Sequence, residues 1–209
     1  VELAVIPGER EAALSFLGAS NDFRNEDLLF ADIGGGSTEL VCGRANGTAS
    51  DLVPSVALRA SHSFNIGCRR MTERFLAGDP PTKNELDRAS AWAHEVLAPF
   101  FEAGTSCDRL VAVAGTPTSV VAVRDALVPY DSTKVHGAHV TRAEFDEVAQ
   151  RMWELPLAER MKVAGIQPKR APVILGGAVA IAGILLGGNI VPVILGGVIL
   201  TLGQTIQRK

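Results

Sequence analysis

The stretch that decides the fold reads LLFADIGGGSTE and occupies residues 28–39. A short apolar run, residues 28–33, stops at three consecutive glycines, as a buried strand does where it enters a tight turn. The residues from Ser37 to Arg44 have strand character again. We therefore predict a hairpin that turns through Gly34, Gly35 and Gly36.

Working outward, the pattern adds one more strand to the hairpin and a second loop of the same type. Turn residues at 45–48 precede a third predicted strand over 51–60, which gives three antiparallel strands in sequence. A further strand over 109–114 ends in Gly115-Thr116 and is followed by a predicted helix over 117–126. The order strand, Gly-Thr turn, helix favours phosphate binding.

Helical patterns fill most of the remaining chain. Apolar residues at helical spacing predict a helix over 65–76, and residues 171–186 predict another. Thr82 with Glu85, and Thr141 with Glu144, have the spacing of capping boxes that begin helices. The class is therefore α/β.

Composition limits the choice of partners. The chain has 209 residues, 47% hydrophobic and 21% charged, enough for one large domain or two small ones. Its formal charge of −3 argues against general nucleic-acid binding, so we expect no nucleic-acid partner. A polyanionic ligand would have to meet a local basic site.

Neither the cysteines nor the histidines have the spacing of a metal or redox site. We interpret Cys42, Cys68 and Cys107 as separate buried thiols and expect a cytoplasmic protein. The four histidines are interpreted as surface or hydrogen-bonded side chains.

The C-terminal part is unusually apolar, with no charged side chain between Ala171 and Arg208. We interpret it as a buried helix followed by apolar sequence of uncertain structure. A membrane span is the alternative, which Pro192 and the repeated Gly-Gly pairs disfavour.

The glycine loop carries the most informative chemistry. Backbone N–H groups of Gly34, Gly35, Gly36 and Ser37 can form an anion-binding nest, and the carboxylates of Asp32 and Glu39 can hold Mg²⁺ beside a bound phosphate. The alternative is a flexible hairpin turn, with Asp32 capping the turn and Glu39 an ordinary strand-edge charge.

Other polar residues fit an anion site less specifically. Thr116 is expected to cap the helix after its strand and to offer its hydroxyl to phosphate. Arg69, Arg70 and Arg74, with the pair Lys169-Arg170, could guide a polyanionic chain or simply form solvated faces.

With these residues in place, the stretch DIGGGSTEL at 32–40 resembles the phosphate-binding signature of the Ppx/GppA phosphatase family. Residues 5–18 are similar to the segment that holds the family's catalytic glutamate, which assigns that role to Glu11. Ala114-Gly115-Thr116 resembles the second phosphate loop. Further similar segments lie at 135–137, 155–160 and 168–174, so the resemblance covers roughly residues 1 to 182.

The resemblance implies the actin-like ATPase fold, with two RNase H-like lobes facing across a cleft. It places residues 1–26 at the end of the first lobe, 27–182 in the second lobe and 183–209 in an apolar tail. The first phosphate loop of the family is missing, which suggests a fragment whose activity alone is in doubt.

The implied function is hydrolysis of terminal phosphoanhydride bonds in inorganic polyphosphate or guanosine pentaphosphate, with Mg²⁺ as cofactor. Glu11 would orient or deprotonate water; without the resemblance it would be taken as a surface helix carboxylate. The alternatives are a non-catalytic phosphate-binding lobe and an ATP-dependent kinase of the same fold, against which a hydrolytic base at Glu11 argues. A homodimer remains open.

Overall fold

The computed structural model describes residues 8–47, 55–103, 105, 107–188 and 193–195, with the backbone alone for 8–11 and 193–195. The helices are α1 (Gly8–Ser20), α2 (Cys68–Phe75), α3 (Lys83–Glu102), α4 (Gly115–Arg124), α5 (Ser132–Val135), α6 (Arg142–Trp153), α7 (Leu157–Arg160) and α8 (Ile174–Gly188). The strands are β1 (Asp27–Ile33), β2 (Thr38–Asn46), β3 (Ser55–Phe64), β4 (Arg109–Val113), β5 (Ala138–Val140) and β6 (Val193–Leu195).

These strands form one sheet in the order β3-β2-β1-β4-β6-β5. The first three are antiparallel neighbours, which confirms the predicted meander. β4 lies parallel to the other edge of β1, with Asp32 opposite Val113. Because parallel neighbours end at the same edge of a sheet, the loops that follow β1 and β4 lie side by side.

The sheet separates two apolar clusters. Alternate residues of a strand face opposite sides, so Leu29, Ala31 and Ile33 pack with α2, α3, α4, α6 and α8 in the larger cluster. Leu28 and Phe30 belong to the smaller cluster, which α1 covers with Ala12, Phe16 and Ala19. The face toward α1 is thus covered by a much smaller apolar cluster than the opposite face.

Local signals gave the start of two helices and placed the starts of two others two or three residues away. Both capping boxes are confirmed. The N–H and hydroxyl of Thr82, followed by the N–H groups of Gly78 and Ala77, donate to Glu85 and lower its pKa to about 2. α2 begins at Cys68 rather than at residue 65, because the carbonyl of Ile66 accepts the Thr38 hydroxyl at 2.6 Å and Gly67 is extended. α4 begins at Gly115, before the predicted start.

The apolar C-terminal part contributes to the core. α8 continues past residue 182 and packs on α3, with Gly183 against Ala93 and Leu97. β6 lies between β4 and β5 in the sheet. Within the described residues, no helix is both long and apolar enough to cross a membrane. The rest of the predicted tail lies outside the described residues.

The prediction of three separate thiols is wrong for two of them. Cys42 and Cys107 form a disulfide, with their Cα atoms 6.9 Å apart and a sequence separation of 65. Strand pairing brings them together, because Cys42 lies on β2 next to β1 and the N–H of Asp108 donates to Asp27 at the start of β1. Cys68 is free and buried, as predicted.

Gly165→Ala is expected to destabilise the fold by about 3 kcal/mol, the sum of a strained positive φ and a steric overlap. Gly165 has φ +89°, and an added Cβ would collide with the carbonyl of Ala122. Gly137→Ala is the matched control, because Gly137 has φ +71° but nothing within 4 Å of an added Cβ. Urea unfolding should show a loss of only about 1 kcal/mol for the control; equal losses would contradict the overlap.

Candidate active site

The glycine loop is held by the start of α2 through its carbonyl groups. The N–H of Cys68 donates to the Gly34 carbonyl at 2.9 Å, and the N–H groups of Arg69 and Arg70 donate to Gly35 at 2.9 and 3.1 Å. The Arg70 Nε donates to the Gly36 carbonyl at 2.8 Å. Three successive carbonyls of the loop therefore face α2.

This arrangement fixes where the N–H groups of the loop point. In a trans peptide the N–H points opposite to the preceding carbonyl, so the N–H groups of Gly35, Gly36 and Ser37 face away from α2. The Gly34 N–H is already used, since it donates to the Ser37 carbonyl at 3.0 Å. Three consecutive N–H groups on one side form a nest of the kind that binds anions.

Asp32 and Glu39 lie beside this nest on the same side of the sheet. They are direct partners in the antiparallel register of β1 and β2, which places their Cβ atoms about 5 Å apart. Residues two apart on a strand face the same side of the sheet. Asp32 lies two residues after Phe30, and Glu39 lies two residues before Val41, so both carboxylates belong to the face that α1 covers. The Ser63 hydroxyl donates to Glu39 Oε1 at 2.7 Å and orients that carboxylate.

Two carboxylates this close fit a magnesium ion. Like charges directly opposite on a sheet repel each other, and a hard divalent cation relieves that repulsion through carboxylate oxygens. Among the described residues no group of three or more His, Cys, Asp or Glu side chains could hold a metal ion. Mg²⁺ is commonly bound by one or two carboxylates together with waters and substrate phosphates, so the pair is sufficient.

The second loop lies next to the first, at the end of β4. Ala114 adopts φ 78° and ψ −166° and turns the chain into α4, whose first residues are Gly115 and Thr116. Pro117 follows and has no N–H, so the N–H groups of Gly115 and Thr116 are the donors left at the start of this helix. They supply a second set of anion donors.

The expected role of Thr116 as a helix cap is wrong. Ala114 occupies the N-cap position, and no side chain caps α4. The Thr116 side chain is buried against Gly177 of α8 and interacts with the Cys68 thiol. Its side chain therefore faces the core, and the backbone N–H is the group available to a ligand.

Arg170 was singled out in the sequence only as half of a basic pair, yet its guanidinium lies directly over Gly115 and would collide with an added Cβ there. Burial raises the pKa of the Cys68 thiol, and the charge of Arg170 acts in the opposite direction. The side chain itself is exposed. No local sequence signal separated it from other surface cations.

The three arginines of α2 have different roles. Arg70 bonds to the glycine loop, whereas Arg69 forms an exposed ion pair with Glu73 at 2.7 Å. Arg74 lies over the Trp92 ring, 4.4 Å from its centroid, which is a packing role. Of these three arginines, only Arg69 and Arg70 thus lie next to the glycine loop.

Glu11 lies in α1, and its side chain is outside the described part of the chain. α1 returns along β1: Phe16 packs edge-on against Phe30, with ring centroids 6.5 Å apart. Helical rise puts the backbone of Glu11 about 13 Å from Ser20, and strand rise puts Asp32 about 16 Å from Asp27. The start of α1 therefore reaches the level of the carboxylate pair.

Gly67→Ala is expected to displace the glycine loop, because an added Cβ would lie 2.7 Å from the backbone carbon and oxygen of Gly35. Such overlap costs about 1–3 kcal/mol. Gly35→Ala is the control, since its Cβ would meet only the Arg69 Cβ at an ordinary 3.8 Å. Urea unfolding measures both; a Gly67→Ala protein as stable as wild type would contradict the packing of this loop on α2.

Comparison with known proteins agrees with this geometry. The model of the Ppx/GppA phosphatase family matches residues 1–186. Exopolyphosphatase 2 of Mycobacterium tuberculosis is 36% identical over 181 residues, which cover 85% of this chain and 53% of the relative. A bifunctional 3-dehydroquinate synthase/phosphatase of Fusobacterium nucleatum is 31% identical, covering 88% of this chain and 27% of that protein. The chain thus spans about half or less of these relatives.

Solved structures show the same fold. The Aquifex aeolicus Ppx/GppA family member superimposes with a TM-score of 0.83 at 27% identity, over 99% of this chain and 64% of that one. An exopolyphosphatase-like protein superimposes with a TM-score of 0.79 at 34% identity, over 94% of this chain and 63% of that one. The actin-like, RNase H-related α/β fold expected from the sequence is confirmed.

Proposed function

The chain belongs to the Ppx/GppA phosphatase family, and from that membership we propose that it hydrolyses the terminal phosphoanhydride bond of inorganic polyphosphate or guanosine pentaphosphate. Water attacks the terminal phosphorus, the bond to the bridging oxygen breaks, and inorganic phosphate leaves. The other product is a polyphosphate shortened by one unit, or guanosine tetraphosphate.

The observation that carries this proposal is the orientation of the glycine loop. Its carbonyls bond to α2, so three N–H groups are aimed together at the side where Asp32 and Glu39 lie. A flexible turn would have no such anchoring. Donors fixed in advance around a transferring phosphoryl group are the main catalytic resource in this chemistry, because they need no reorganisation during the reaction.

The cations and the second loop support the same reaction. Gly115 and Thr116 offer N–H groups beside the first loop, and Arg170 adds a full positive charge over Gly115. Together they would bind the phosphate next to the bond that breaks. Charge-assisted bonds from arginine to phosphate are the strongest contacts of this kind.

Glu11 is proposed as the general base. Held on α1 over the carboxylate pair, it would orient the attacking water and accept its proton. Asp32 and Glu39 would hold Mg²⁺, which neutralises negative charge on the phosphates when it is bound.

The name of the mycobacterial relative, an exopolyphosphatase, favours polyphosphate as the substrate class. The choice between polyphosphate and a guanosine nucleotide depends on how the cleft accepts a base and ribose. The described residues supply one side of that cleft.

The test is phosphate release from polyphosphate and from guanosine pentaphosphate with Mg²⁺, measured for this chain and for the protein extended upstream to the length of its relatives. We expect release by the extended protein, and the substrate that reacts faster identifies the preference. A folded extended protein that releases nothing from either substrate would overturn the proposal and favour a non-catalytic phosphate-binding lobe. If the protein transfers phosphate from ATP to an acceptor and releases none from the other two substrates, it is a kinase.

A further inference from the structure

Arg160 is a buried charge in a part of the molecule that the proposed reaction does not use. It is 3% exposed, at the end of α7, and lies under the segment that leads to α8. Burial lowers the pKa of its guanidinium, and the nearby Asp79 acts in the opposite direction. Charged side chains are rarely buried unless their donors are satisfied.

Its donors bond to three separate backbone carbonyls. Nε donates to the carbonyl of Met152, in the last turn of α6, at 3.1 Å, and Nη2 donates to the carbonyl of Leu155, two residues after that helix, at 2.8 Å. Nη1 donates to Ala171 at 3.2 Å. The Met152 carbonyl belongs to the last turn of a helix, where it has no helical partner, so Arg160 ties the end of α6 and the bend after it to Ala171.

Ala171 directly follows Arg170, whose guanidinium covers Gly115. The Arg170 carbonyl accepts the N–H groups of Val173 and Ile174 at 3.0 Å each, which sets the start of α8. Arg170 is thus fixed by α8 through its own carbonyl and by Arg160 through the carbonyl of the next residue.

We propose that Arg160 is a positioning residue: by holding the Ala171 carbonyl it places the Arg170 guanidinium over the second phosphate loop. This inference rests on the proposed phosphate site and deepens it. Lysine cannot replace Arg160, because one ammonium group cannot reach three divergent carbonyls as the planar guanidinium does.

The experiment is a double-mutant cycle on this chain, with tripolyphosphate as the probe and titration calorimetry as the readout. Arg170→Met should weaken binding by about tenfold, the value of one charge-assisted bond. Arg160→Lys should weaken it by a similar factor in the wild type but by less than about twofold in the Arg170→Met background, because coupled residues are not additive. Asp79→Asn is the control: it leaves the three carbonyl bonds of Arg160 in place and should bind as wild type does.

Two results would overturn the inference. One is a folded Arg160→Lys protein with wild-type affinity; the other is an equal loss of affinity in both backgrounds, which would indicate a general structural role. Hydrogen exchange on the wild type covers the case in which Arg160→Lys does not fold. Tripolyphosphate should then slow exchange over residues 167–174, and unchanged exchange there would also overturn the inference.

The titration is run with EDTA and without Mg²⁺, so that the tripolyphosphate is bound but not cleaved and the outcome is independent of hydrolysis. If the effects of Arg160→Lys and Arg170→Met are simply additive while phosphate release is intact, only the role of Arg160 is removed. An intact cycle without phosphate release would remove the proposed hydrolysis and keep the link between Arg160 and Arg170.

Discussion

Glu11→Gln is expected to reduce phosphate release by about 10²–10⁴-fold, the contribution of a positioned general base, in the protein extended upstream. The amide keeps the size of the side chain and its place on α1 but cannot accept the proton of the attacking water. The loss should appear in kcat, because the nest, the second loop and Arg170, which we propose to bind phosphate, are unchanged.

Glu26→Gln is the control for this substitution. Glu26 lies just before β1 and pairs with Arg109 at 2.6 Å, at the opposite end of the strand from the site. Its activity should stay within about twofold of wild type, since partly exposed ion pairs contribute little. Full activity in the Glu11→Gln protein would remove Glu11 from the mechanism while leaving the phosphate site intact.

Asp32→Asn is expected to lower phosphate release by at least about a hundredfold and to leave the melting temperature nearly unchanged. The activity falls because one of two carboxylates for Mg²⁺ is lost, and the magnesium concentration needed for half-maximal rate should rise. We expect little change in stability because asparagine keeps the size of the side chain and its place opposite Glu39 in the register of β1 and β2.

Asp27→Asn makes the same change at the other end of β1. Asp27 pairs with Arg44 at 3.5 Å and Arg59 at 3.3 Å, so it is already compensated. We expect a stability loss of about 1 kcal/mol or less and unchanged activity. An Asp32→Asn protein that keeps its rate and its magnesium dependence would contradict the assignment of the metal to this pair.

The features that could be predicted from sequence are those whose signal is local. The hairpin around Gly34, Gly35 and Gly36 depends on residues adjacent in the chain, as do the capping boxes at Thr82 and Thr141. Asp32 and Glu39 lie opposite each other for the same reason, because a short turn joins their two strands, and their role as metal ligands stays a prediction.

What sequence analysis missed depends on contacts between distant segments. Arg170 lies over Gly115 only because α8 packs against α4, and nothing near residue 170 encodes that neighbour. Thr116 is drawn into the core by Gly177 of α8. β6 enters the sheet between β4 and β5, and the pairing of Cys42 with Cys107 follows from strand order. None of these contacts can be predicted before the topology of the sheet and helices is known.

The carbonyls of the glycine loop are bonded to α2 before any ligand arrives. The conformational entropy that is lost when the loop N–H groups are aligned is therefore lost during folding. Phosphate binding does not have to include that cost. Affinity for phosphate should then vary with the local opening of the loop and α2 as one cooperative unit. Any solvent or temperature that loosens this unit would weaken phosphate binding well before the sheet unfolds.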